Sequence, residues 1–196
     1  MRYSTRNSAV VWTLIVINSL VFILTTVSPS VGDTLALTKP VAPAYYWTIL
    51  TAMFVHANFF HILGNMVTFY FFSVICLQLI DQKWFLAVYF IGGILGNLLF
   101  LLIGPEYSAV VGASGAIFAI GGVIMAMRPT VRVYLYFIIP MPLWVAIIGA
   151  FLITVFIPGV AWQAHLGGLV VGLVAGLLFR RKERQRLKPG IYQYRF

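Results

Sequence analysis

The chain has 196 residues, of which 62% are hydrophobic and only 9% charged, and its net charge is +9. A soluble domain usually carries about 25% charged residues, so an ordinary soluble globule is excluded, as are a disordered chain and a collagen-like repeat. One cysteine excludes a disulfide framework and any multi-cysteine metal site. Six spans of about 20 residues would occupy about 120. That suits one polytopic membrane domain at 9–180, between a short segment at 1–8 and a basic tail at 181–196.

Uncharged runs cover 7–32, 40–80, 84–105, 107–127 and 133–179, and such a run of 18 or more apolar residues reads as a transmembrane helix. The first predicts a span at 9–27. It is longer than a signal-peptide core and lacks a clear cleavage site, so it reads as a retained anchor. In the second run, Pro40, Pro43, Tyr45, Tyr46 and Trp47 suit a loop at the membrane interface, which leaves a span at 59–80. The third span is 84–103. The fourth, 114–127, follows Gly112-Ala113 and measures about 21 Å, too short for a hydrocarbon core of about 30 Å. Irregular backbone at that depth survives only when buried in protein or beside a wet cavity. Pro140, Pro142 and Pro158 break the last run into spans at 143–157 and 164–179, with a surface loop at 132–141.

Basic residues orient the bundle. With the amino terminus in the cytoplasm, Arg2, Arg6, Lys83, Arg128, Arg132, Arg180, Arg181, Lys182, Arg184, Arg186, Lys188 and Arg195 all lie inside, and of the 13 only Lys39 lies outside. Both termini are then cytoplasmic. The terminal cluster is a topology signal and a contact for anionic lipid, with no nucleic-acid role.

Polar side chains inside a bilayer are functional-site candidates by default. Here they are His61 and Asn65 in span two, Ser114 opening span four and His165 opening span six, with Asn97 and Gln78 as lesser candidates and His56 as loop packing. Asn65 precedes Asp81 by 16 residues, Ser114 precedes Arg128 by 14 and His165 precedes Arg180 by 15. At 1.5 Å per residue they lie about 24, 21 and 22 Å above the cytoplasmic boundary. His61 shares a helix face with Asn65 through its i, i+4 spacing. All four can therefore meet in one layer near the outer surface. A serine hydroxyl needs a base, and a neutral imidazole is the usual one. The amide of Asn65, the imidazole of His61 and the backbone N–H of Ser114 would supply donors to an oxyanion.

The four carboxylates, Asp33, Asp81, Glu106 and Glu183, all fall outside the predicted spans. A Ser–His dyad is thus expected, without a carboxylate partner. The same count argues against a zinc or aspartyl protease and against any metal or other cofactor. Gly168, Gly172 and Gly176 on span six, facing Gly115, Ala119 and Gly122 on span four, form small faces that let two helices approach closely.

In sum these residues resemble a rhomboid intramembrane serine protease. His61-Ile-Leu-Gly-Asn65 is similar to the His-x-x-x-Asn of the second span, Gly112-Ala-Ser-Gly115 to the Gly-x-Ser-Gly of the fourth, and Ala164-His165-Leu-Gly-Gly168 to the Ala-His-x-x-Gly of the sixth. Phe85, Tyr89, Gly93 and Gly96 resemble the third span. The resemblance implies an all-α bundle of six spans, a nucleophile at Ser114 and a base at His165. It implies an oxyanion hole from His61, Asn65, Gly112 and the Ser114 backbone. It also implies single-span membrane proteins as substrates, a partly embedded first loop at 28–58 and a lateral gate near span five. The minimal six-span form implies a prokaryotic cell membrane. Three departures are visible, one being that Gln78 and Asp81 lie where a glutamate often closes the second span. Trp47-Thr48 stands where rhomboids often have Trp-Arg, and Phe118 stands where many have a tyrosine stacked on the histidine. The main competing functions are a silent rhomboid-like protein that binds membrane clients and a small transporter.

Overall fold

The structure, a computed structural model, describes residues 5–40, 42–135 and 139–187. The first residues of the 1–8 segment, the end of the 181–196 tail, and with them Arg2, Lys188 and Arg195, lie outside the described residues.

Apolar stretches become helices in the expected order. α1 is Thr5–Val27 and is followed by a short α2, Pro29–Leu35. A two-residue strand β1, Leu37–Thr38, leads to α3, Thr48–Thr51, and a 3-10 turn, Ala52–Phe54. α4 is Phe59–Cys76, started by Asn58, whose side chain accepts the His61 N–H. α5 is Gln82–Ile103, and β2, Ala109–Val110, precedes α6, Ser114–Met127. β3, Arg132–Leu135, and β4, Ile139–Pro142, lead into α7, Leu143–Phe156, and the chain continues through α8, Trp162–Leu187.

Among the described residues, α1, α4, α5 and α8 contain stretches long and apolar enough to cross a membrane, while α6 and α7 are shorter apolar helices. Their outward faces carry large side chains that water would not tolerate: Phe60 is 80% exposed, Leu102 75% and Phe156 82%. Such a surface is solvated by lipid chains. The protein is an integral membrane protein.

Three features differ most from the sequence reading. The second span was expected to reach residue 80, but its helix stops at Cys76. Residues 77–80 wind into a tight turn in which the N–H groups of Leu79 and Ile80 both bond the Cys76 carbonyl. α8 runs past Phe179 to Leu187, because Arg, Lys, Glu and Gln are good helix formers and the apolar stretch has already nucleated the helix. The expected surface loop at 132–141 is an antiparallel hairpin pairing Arg132 with Pro142 and Leu135 with Ile139. Its β-branched and aromatic residues favour strands, and the prolines are tolerated because each strand has only one partner.

α6 lies at the centre. Ile120, Val123 and Ile124 are fully buried and most of its other residues are also covered. Its closest neighbour is α8. A Cβ on Gly168 would overlap the Gly115 carbonyl and one on Gly172 the Ala119 carbonyl. A Cβ on Gly176 would lie 2.8 Å from the Val123 oxygen. The glycines thus let two backbones touch at one-turn intervals. At the opposite end of this interface, Arg128 just beyond α6 grips Glu183 of α8 with two hydrogen bonds of 2.9 and 2.6 Å. That guanidinium holds the Glu183 carboxyl below the usual carboxylate range. Arg180 donates to the Ala126 carbonyl at 3.2 Å.

The first loop is stitched to the start of α6. β1 pairs with β2, Leu37 opposite Val110, and the Gly112 N–H donates to the Ala52 carbonyl at 2.8 Å. Asn97, buried on α5, donates to the Ile49 carbonyl at 2.8 Å. Tyr46 points outward, 72% exposed, as an interfacial aromatic does.

Gly172→Ala should lower unfolding stability in detergent by about 1–3 kcal/mol, because the added methyl has nowhere to go. Gly149→Ala on α7, where a Cβ meets nothing within 4 Å, should be neutral or slightly stabilising. Thermal melts of the two variants would test this contact, and equal melting points would contradict it.

Candidate active site

Ser114 is the first residue of α6, so its backbone N–H lacks an acceptor one turn back within the helix and lies at the positive end of the helix dipole. His165 lies in the first turn of α8 and is 7% exposed. Because the two helices touch at glycines, the side chains at their N-terminal ends meet. Ser114 Oγ is 2.7 Å from His165 Nε2. Phe118, one turn after Ser114, stacks on the imidazole with centroids 4.8 Å apart and planes 30° from parallel.

The segment before Ser114 turns through Gly112, whose φ of +114° is strained for any residue with a side chain. A Cβ there would also lie 2.8 Å from His61 Nε2 and 3.4 Å from Asn65 Nδ2. The bare glycine therefore brings the loop before Ser114 against both polar groups of α4. His61 Nδ1 accepts the Ala57 N–H at 3.3 Å, which leaves the proton on Nε2, the atom facing Gly112. Asn65 is buried, 8% exposed, and its Nδ2 has no partner among the described residues. A buried donor without a partner is unusual and calls for a reason.

Ser114, His165, His61 and Asn65 thus come together in one layer. Gly112, read from the sequence as part of the oxyanion hole, lines that layer, and its N–H is spent on the Ala52 carbonyl. What Gly112 provides is room. Gln78 is exposed in the turn after α4. Asn97 faces the first loop. Gly115, Gly168 and Gly172 are the points of helix contact. Among the described residues no three His, Cys, Asp or Glu side chains converge in a way that could hold a metal ion.

One neighbour was missed by sequence reasoning. Thr154 of α7 places its Oγ1 3.2 Å from His165 Nδ1. Its only sequence signal was a threonine in an apolar run 11 residues before the histidine, and a membrane threonine usually bonds its own helix.

This set suits acyl transfer. It offers a hydroxyl against a ring nitrogen, with three donors grouped around the segment that carries the hydroxyl. The known family with that arrangement also matches the sequence: the Rhomboid domain aligns with residues 43–182. The chain belongs to the rhomboid family. It is 30% identical over 159 residues to RHOMBOID-like protein 12, mitochondrial, of Arabidopsis thaliana, covering 68% of this chain and 46% of that protein. It is 36% identical over 87 residues to YdcA of Bacillus subtilis (strain 168), 44% of either chain. It is 38% identical over 85 residues to Rhomboid-like protease 3 of Toxoplasma gondii, covering 41% of this chain and 32% of that protein. The chain spans less than half the length of these curated relatives. Family membership and the protease name of such relatives support a protease of the rhomboid type.

His56, in the loop before α4, is 4% exposed and packs edge-on against His61 with centroids 5.1 Å apart. Its Nδ1 lies 3.2 Å from the Phe54 carbonyl. Burial, and secondarily the neighbouring His61, push its pKa down to about 4, against the opposing pull of that carbonyl. Unfolded, His56 takes up a proton as the pH falls through its ordinary value of 6.5, whereas folded it stays neutral to about pH 4. Stability should therefore fall as the pH drops across that window, by up to about 1.4 kcal/mol per pH unit. Unfolding measured from pH 7 to pH 4 should show that loss in wild type and a flatter profile in His56→Asn. Parallel profiles would remove His56 as the cause.

Proposed function

We propose that the protein is an intramembrane serine endopeptidase that hydrolyses peptide bonds in or near transmembrane segments of membrane proteins. The observation that carries this reading is the 2.7 Å approach of Ser114 Oγ to His165 Nε2 beside the unpartnered amide of Asn65. Ser114 Oγ attacks the scissile carbonyl while His165 Nε2 takes its proton. The negative charge that develops on the carbonyl oxygen is met by the Ser114 backbone N–H, the His61 Nε2–H and the Asn65 Nδ2–H. His165 then delivers the proton to the leaving amine. Water, activated by the same nitrogen, releases the acyl group from Ser114. Phe118 holds the imidazole plane by stacking.

In this reading all six apolar helices span the membrane and residues 9–180 form the protease domain. The basic residues keep both termini on the cytoplasmic side, and the tail at 181–196 meets anionic lipid. The site then opens towards the outer half of the bilayer, where water can reach it. The substrates are single-span membrane proteins. Their helices should need Gly or Ala near the cut, because an intact helix hides its carbonyls.

A fluorophosphonate probe on the detergent-purified protein tests the mechanism. Wild type should be labelled, and Ser114→Ala and His165→Ala should each lose labelling by on the order of 10³-fold or more. A folded wild type that resists the probe would replace this reading with that of a client-binding protein. A reporter membrane protein carrying a Gly-containing helix should be cut well in proteoliposomes. Equal cutting of a poly-Leu helix would refute the helix-weakening requirement.

A further inference from the structure

Beyond the dyad, His165 has a second polar neighbour on another helix, and the hydrogen-bond bookkeeping around it leaves little freedom. Thr154 Oγ1 donates its one proton to the Phe151 carbonyl, 2.7 Å away and one turn earlier on α7. A threonine hydroxyl has only that proton. Towards His165 Nδ1, at 3.2 Å, Thr154 can then act only as an acceptor. The Nδ1 atom must be the one that carries hydrogen, which leaves Nε2 with its lone pair facing Ser114 Oγ.

We infer that Thr154 is a positioning residue that fixes the tautomer and the ring orientation of His165, the part that a buried carboxylate plays in a Ser-His-Asp triad. This rests on the protease reading for its catalytic meaning, while the tautomer itself does not depend on it. Ordinary back-bonding of a membrane threonine accounts for the bond to Phe151 but not for the second engagement. A neutral hydroxyl suits this place better than a carboxylate, because an unpaired charge at this depth would be expensive. The same helix also braces the opposite side of the ring's support. Phe151 meets Phe118 edge-on with centroids 6.2 Å apart, and Phe118 stacks on His165. α7 thereby holds the imidazole through Thr154 at its Nδ1 edge and through Phe151 and Phe118 at its face. The lining-up of the base consequently depends on α7 lying in its packed position.

The test uses the full-length protein in detergent, with Thr154→Val, Thr154→Ala and Thr154→Ser. Valine keeps the shape, alanine cannot overpack, and serine keeps the acceptor. Two readouts are needed. The first is ¹⁵N NMR of protein labelled at its 3 histidines, with His165 assigned by its loss in His165→Asn. Wild type and Thr154→Ser should show the tautomer protonated at Nδ1, whereas Thr154→Val and Thr154→Ala should show a mixture or the other tautomer. The second is the rate of fluorophosphonate labelling, which should fall about tenfold in the valine and alanine variants, the scale of one lost hydrogen bond, and recover in the serine variant. An unchanged tautomer in Thr154→Val and Thr154→Ala would overturn the inference. So would a serine variant as slow as the valine variant. Failure of wild type to react with the probe would instead overturn the protease reading, and the NMR readout would still decide the role of Thr154.

Discussion

Backbone-to-backbone contact between α6 and α8 is the constraint on which the rest depends. Where the Gly115 carbonyl lies against Gly168, and that of Ala119 against Gly172, any side chain would push the helices apart. Ser114 and His165 are short side chains on separate helices, and they meet only because those helices are already touching one turn below. Lipid offers no hydrophobic force to drive helices together, so close packing of small residues has to supply the association. The Arg128–Glu183 pair and the Arg180 contact with Ala126 hold the far end of the same interface.

The second requirement is that polar backbone near the site be covered. The chain entering α6 runs within an apolar bundle, where unsatisfied amides would be costly. The first loop answers this with main-chain bonds: β1 pairs with β2, and Ala52 accepts from Gly112. Asn97 anchors that loop to α5. A loop whose surface carries Tyr46 and Trp47 at the interface is thus also the roof of the site. That dual role explains why it is so rich in short regular pieces.

Much of this could be read from the chain because lipid imposes a strict rule. A polar side chain in an apolar run stands out, and helix rise converts its position into depth. Ser114, Asn65, His61 and His165 were legible for that reason, and so was the small face of α8. Other features depend on three-dimensional placement that no local pattern encodes. The pairing of Leu37 with Val110 joins two-residue strands across 73 positions. The commitment of the Gly112 N–H to Ala52 depends on where the loop folds back. Thr154 looks like any threonine in a membrane helix until α7 is placed beside α8. The hairpin at Arg132–Pro142 was missed because its prolines argued against strands more strongly than Val133, Tyr134 and Ile139 argued for them.

The continuity of α8 has a mechanical meaning. His165 and Leu187 belong to one unbroken helix, separated by about 33 Å at 1.5 Å per residue. No proline or hinge interrupts that stretch, and its glycines ride on α6 as a smooth track. Its charged end is tied to α6 through the Arg128–Glu183 pair and the Arg180 contact with Ala126, so a displacement there is shared by the helix that carries Ser114.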